Sequence, residues 1–194
     1  MRTRIDPRYF NRFMLLGALF SLVLIAFFTL RQPAKAREAF AAVLQSAIQT
    51  PWSDDVPVLH TPVDPLPCGP STVHLFWAPW SDRSLRILDT LASIQAETAQ
   101  PGPCHRLLGV KEAPDRLRET AASSMLQGTW VDGTQIYGEW NVPGVPTLFI
   151  TEPSGDTLHL RALEVGIDPE RVEAFILSAL SESPLPPQSP ASTP

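Results

Sequence analysis

Apolar positions along the chain fall into runs of two periods, separated by proline-rich breaks. Phe13 to Leu30 is 18 residues without a charge, at the short end of the roughly 17–25 residues of a membrane-crossing helix. Pro33 to Gln49 is alanine-rich and predicts a helix or helical stalk. Pro51 to Pro70 holds six prolines and predicts an extended spacer, in which Val56-Pro57-Val58-Leu59-His60 can add a short edge strand. The run Thr72 to Ala78 then predicts a strand. Leu85, Leu88, Leu91, Ala92 and Ile94 follow at the i, i+3, i+4 spacing of one helix face. A second strand is expected through His105–Val110, and a second helix from Ala113-Pro114-Asp115 to about Gln127. Trp130 to Trp140 reads as a loop and a short helix. Leu148-Phe149-Ile150 predicts a strand, Pro153-Ser154-Gly155-Asp156 a turn, and the alternating Thr157–Ala162 an antiparallel partner. Pro169 to Ser181 predicts a last helix, with Val172, Phe175, Ile176 and Leu180 on its apolar side.

These elements divide the chain into residues 1–12, an apolar segment 13–30, a stalk and proline-rich linker 31–67, a domain 68–181 and a tail 182–194. Five prolines and no core-forming pattern mark the tail. The order strand-helix-strand-helix-strand-strand-helix predicts an α/β domain, a mixed sheet flanked by helices, preceded by one N-terminal transmembrane helix.

Charge sharpens the topology. Residues 1–36 carry six basic groups and one acid; removing them from totals of 15 and 20 leaves 9 and 19, a balance of −10. Four arginines precede Phe13, so the amino end is expected in the cytoplasm and the rest exported, to the periplasm if the cell is bacterial. Ala34-Lys35-Ala36 offers the alternative of a cleaved leader. The acidic domain argues against nucleic acid, whose phosphates call for Lys and Arg. No glycine loop for phosphate, no paired catalytic carboxylates and no metal-ligand spacing among His60, His74, His105 and His159 point to a cofactor.

Cys68 and Cys104 suit an oxidising compartment. A right-handed strand-helix-strand unit puts the strands that follow them side by side. Both cysteines then lie at one sheet end, within disulfide reach, and two thiols without a bond are the alternative. Cys68-Gly69-Pro70-Ser71 lies before the strand and reads as a loop.

Two stretches carry a family resemblance. Trp80-Ser81-Asp82-Arg83-Ser84, where a strand runs straight into a helix, resembles the redox turn of the thioredoxin superfamily, whose two cysteines would fall on Ser81 and Ser84. Tyr137 to Thr147 resembles the stretch ahead of that family's cis-proline, which implies a cis Pro146. Pro153-Ser154-Gly155-Asp156 is similar to membrane-tethered TlpA- and ResA-type reductases and their cytochrome c maturation relatives. The likeness covers about 110 residues and implies a thioredoxin-like sheet. Two departures stand out: both redox cysteines are missing, and Leu75 occupies the place of the buried acid of thioredoxins proper.

The missing sulfur decides the chemistry. A helix N-terminus stabilises a thiolate that attacks a disulfide, whereas a serine hydroxyl forms no disulfide. Ser81 is expected to cap the helix. The leading expectation is therefore a membrane-anchored, redox-inactive module holding an exported polypeptide or a partner subunit of a membrane complex. Trp80 would supply apolar contact, Val145 beside Pro146 a backbone partner, and Asp82 and Arg83 charge at the turn. The plain alternatives are a Trp80 packed on its own loop and a solvated Arg83. A second expectation is a thiol–disulfide oxidoreductase, using Cys68 and Cys104 or represented here by a Cys-to-Ser form. A third is an accessory subunit of a membrane complex, held by residues 13–30.

Overall fold

The structure is a computed structural model, and it describes residues 14, 18–22, 38–48, 56–62, 66–98, 101–154 and 157–181. The chain divides into two units, Met1–Ala39 and Phe40–Pro194. In the first, Met14 and residues 18–22 are helical. Among the described residues no helix is long and apolar enough to cross a membrane. Most of 13–30, and all of 1–12 and 182–194, lie outside the described residues.

The second unit is built on one six-stranded sheet. Its elements in order are α1 (residues 40–47), β1 (Val58–His60), β2 (Cys68–Trp77), α2 (Asp82–Glu97), β3 (Gly102–Gly109), α3 (Pro114–Ser123), β4 (Thr129–Asp132), α4 (Thr134–Glu139), β5 (Thr147–Ser154), β6 (Thr157–Val165) and α5 (Pro169–Ser181). The strands lie in the order β1-β4-β3-β2-β5-β6. β2, β3 and β4 are parallel, while β1, β5 and β6 pair antiparallel with β4, β2 and β5. This is the mixed sheet flanked by helices that the order of elements predicts, and the thioredoxin-like sheet that the resemblance implies.

Both faces of the central strands are covered, so β2 reads as a continuous apolar run rather than an alternation. Val73, Leu75 and Trp77 point to α2 and α5, packing with Ile87, Leu91, Val172 and Ile176. Phe76 and Ala78 point the other way, toward Leu108, Val131 and Phe149. Phe40, Leu44 and Ile48, spaced by four along α1, are buried in that second cluster. Residues placed in a stalk by their alanine content thus cover a face of the sheet. Alanine content says that a segment is helical; the i, i+4, i+8 spacing of its larger side chains says that it packs.

Two readings need correction. Cys68-Gly69-Pro70-Ser71 is the start of β2, not a loop. Between Cys68 and Thr72 the strand advances four positions while β3 advances two, from Gly102 to Cys104. Such an irregularity accommodates Pro70, which has no N–H to give to a ladder. The stretch read as a loop from Trp130 holds β4, whose Trp130 and Val131 are both buried, one on each face of the sheet. A four-residue strand with only its two middle residues buried, one on each face, shows no period. Gly128 and Gly133 bracket this strand for a steric reason. A Cβ on Gly128 would lie 2.7 Å from the His105 carbonyl oxygen, and one on Gly133 would lie 2.7 Å from Leu108 Cβ.

Candidate functional site

β2 ends at Trp77, and after the four residues from Ala78 to Ser81 the chain enters α2. Ser81 is the N-cap of that helix, with extended backbone (φ −99°, ψ 101°). Its Oγ accepts a hydrogen bond from the Ser84 N–H at 3.2 Å, and its carbonyl accepts the first helical bond from Leu85 N–H at 3.1 Å. One of the helix's orphan donors is thereby satisfied. Asp82 is exposed in the first turn, where a carboxylate is favoured by the helix dipole. Ser84 is fully buried, and its Oγ finds no hydrogen-bond partner among the described residues.

Because β5 runs antiparallel to β2, its first residue, Thr147, pairs with Phe76. That register places the Pro146 loop at the sheet end where α2 begins. The Val145–Pro146 peptide bond is cis, as the resemblance implies, and Pro146 is buried. Thr147 Oγ1 donates to the Gly144 carbonyl at 2.7 Å and steadies the approach. Gly166, at φ +66°, donates its N–H to the Pro146 carbonyl at 2.7 Å. Arg83 reaches the same glycine, donating from Nη1 to the Gly166 carbonyl at 3.1 Å. Its Nη2 lies 3.1 Å from Asp168 Oδ1. Arg83 is therefore half-exposed but tied. It links the start of α2 to the segment joining β6 and α5, and through Gly166 to Pro146.

Trp80 is 57% exposed, and its indole N–H donates to the Lys111 carbonyl at 3.3 Å. Lys111, itself at φ 55°, sets its ammonium 4.5 Å from the Tyr137 ring centroid, a cation–π geometry. The indole of Trp80 is thus held at its polar edge while more than half of the residue stays exposed. The structure brings Ser81, Arg83 and Pro146 to one end of the sheet, with Asp82, Ser84 and Val145 beside them in the chain. Lys111, Gly166 and Asp168 take part without having been read from the sequence. The signal was Gly166-Ile167-Asp168-Pro169: a glycine, then an Asp before a proline at a helix start.

Cys68 and Cys104 lie at the other end. They form a disulfide with Cα atoms 5.1 Å apart, across the irregular pairing of β2 and β3. α2 returns along the sheet to finish there, at Glu97. A helix C-terminus disfavours a thiolate, the opposite of the electrostatics at the Ser81 end.

Two histidines are buried between the ends. His74 accepts or donates through Nε2 to Thr151 Oγ1 at 2.9 Å and stacks on Phe149 with centroids 4.4 Å apart. Burial, then the Arg106 guanidinium, lowers its pKa to about 3. His105 Nδ1 meets Gln95 Nε2 at 3.2 Å, and burial lowers its pKa to about 4. Both are neutral at neutral pH. Among the described residues no three His, Cys, Asp or Glu side chains gather as metal ligands.

No family model and no curated protein matches the chain. Solved structures do resemble it. A DsbE-type protein of Chlorobium tepidum is 20% identical, with a TM-score of 0.49 over 66% of this chain and 98% of that one. A secreted Mycobacterium tuberculosis disulfide oxidoreductase is 15% identical, with a TM-score of 0.44 over 57% and 83%. StoA from Bacillus subtilis is 15% identical, with a TM-score of 0.44 over 56% and 83%. The first two are named as a thiol:disulfide interchange protein and a disulfide oxidoreductase, and those names assign no role to any residue here. By its own sheet order, its strand-turn-helix junction and its cis Pro146, the chain has a mixed α/β, thioredoxin-like fold.

Proposed function

We propose that this domain is a redox-inactive, thioredoxin-like binding module that holds an extended polypeptide at the Ser81–Pro146 end of its sheet. One observation carries the reading: the helix N-terminus that would activate a thiolate is occupied by a serine cap, while both sulfurs are bonded to each other at the opposite end. Pairing of a guest strand with the backbone ahead of Pro146 needs no thiol. Trp80 offers exposed aromatic surface beside it, and Arg83 holds the adjoining segments together. Residues 13–30 would tether the module to a membrane, with the domain exported. Titration with a permanently unfolded, S-alkylated polypeptide, followed by Trp fluorescence and backbone amide shifts, tests the reading. Binding should weaken in Trp80→Ala and be lost in Val145→Pro. Unchanged binding in both variants would defeat it.

A second reading, a thiol–disulfide oxidoreductase represented here by a Cys-to-Ser form, has a specific observation in its favour. Ser84 Oγ is buried without a partner, an environment that costs a hydroxyl about 1–3 kcal/mol and suits a sulfur. It is also the activity named for two of the similar structures above. Ser81→Cys/Ser84→Cys should then acquire disulfide-reductase turnover and gain stability. A double variant that folds and shows no turnover would remove this reading.

A further inference from the structure

One cavity of the described molecule lies away from the Ser81 turn. It lies at the disulfide end and encloses about 390 Å³, within the roughly 300–1,000 Å³ of small-ligand sites. Its walls are apolar: Leu66, Ile94, Pro103, Ile176, Leu177 and Leu180. Leu177 and Leu180 are exposed, at 59% and 39%. An open apolar wall is costly in water unless something covers it.

The polar groups of the cavity are unequal in sign. The Gln95 amide is spent internally, donating to the Gln127 carbonyl at 2.9 Å and accepting from the Gln127 N–H at 2.8 Å. His105 is neutral near pH 7. The ionised groups among the lining residues are Glu97 and Glu173, both exposed. Glu97 is also the last residue of α2, with no basic residue in that final turn, so the negative end of the helix dipole adds to the same field. Among the described residues no Lys or Arg lines the cavity.

We propose that this cavity is a binding site for a small amphiphilic cation, an amine or guanidinium on a compact apolar body. The apolar body covers Ile176, Leu177 and Leu180, and the charge faces the acidic lining, Glu97 at the end of α2 and Glu173 in α5. The site stands at the opposite end of the sheet from the polypeptide surface and does not depend on that reading.

Calorimetric titration of the full chain, in matched buffer or detergent, with 4-phenylbutylamine, 4-phenylbutanol and 4-phenylbutyrate tests it. The amine should bind saturably, with the alcohol about tenfold weaker and the acid weaker still, the discrimination given by two rim carboxylates. Glu97→Gln/Glu173→Gln should weaken the amine about tenfold and leave the alcohol unchanged. Leu177→Trp, which fills the mouth from an exposed position, should abolish both. Equal affinity for the three probes, amine binding that survives Leu177→Trp in a folded protein, or an amine affinity indifferent to loss of both glutamates would each overturn the proposal. So would the absence of saturable binding.

Discussion

The two ends of the sheet hold, separately, what a thiol–disulfide site requires together. At one end α2 begins, with its N–H groups aimed at the turn, a cis proline beside it and an exposed tryptophan above. That end has hydroxyls at Ser81 and Ser84. At the other end are both sulfurs, bonded across the first residues of β2 and β3 and met by the closing turn of α2. Helix electrostatics favours an anion at the first end and disfavours one at the second. One pole thus carries the serine-capped helix start and the cis proline, and the other a covalent staple between β2 and β3.

The largest effect expected from breaking this division is on stability. Cys68→Ala/Cys104→Ala removes a cross-link of sequence separation 36, worth about 3–4 kcal/mol on chain-entropy grounds. Guanidinium unfolding without reductant should show the loss, and the Ser81 end should keep its fold wherever the protein remains native.

Acid sensitivity comes next. His74 and His105 have folded pKa values of about 3 and about 4, below the ordinary 6.5 of an unfolded chain. Above pH 6.5 both states are neutral and the stability is constant. As pH falls below 6.5 the unfolded chain takes up protons that the native state refuses, so stability declines until the folded values are reached. The urea midpoint should therefore fall between pH 7 and pH 5, and His105→Gln should flatten part of that slope.

Effects at the Ser81 end are smaller and differ in sign. Ser81→Ala loses the cap, about 1 kcal/mol. Arg83→Ala releases an exposed ion pair and a bond to Gly166, at most about 1 kcal/mol, and should raise amide exchange at Gly166. Ser84→Ala removes a hydroxyl without a partner and should be neutral or stabilising by up to about 1 kcal/mol. A loss at Ser84 as large as at Ser81 would mean that its hydroxyl has a function in the fold.

Much of this division can be read from the residues. The junction Phe76–Ser84 shows strand, turn and helix in nine letters, and the spacing of Cys68 and Cys104 against the strands predicts their bond. The elements that escaped are those whose signal lies in space. β4 is four residues long, with Trp130 and Val131 buried on opposite faces, and has no period of its own. The covering role of 40–48 comes from three side chains, Phe40, Leu44 and Ile48, within an alanine-rich segment that reads simply as helix. Arg83 reads as a solvated side chain until Gly166 and Asp168, some eighty residues on, are placed beside it. The cavity at the disulfide end is drawn from five separate stretches of chain, and no local pattern announces it.

The most direct measurement is disulfide reduction by the intact chain, following insulin turbidity with a chemical reductant as the blank. Separation of sulfur from the helix N-terminus predicts a rate equal to the blank, whereas catalytic turnover by the chain with serines at 81 and 84 would contradict the account.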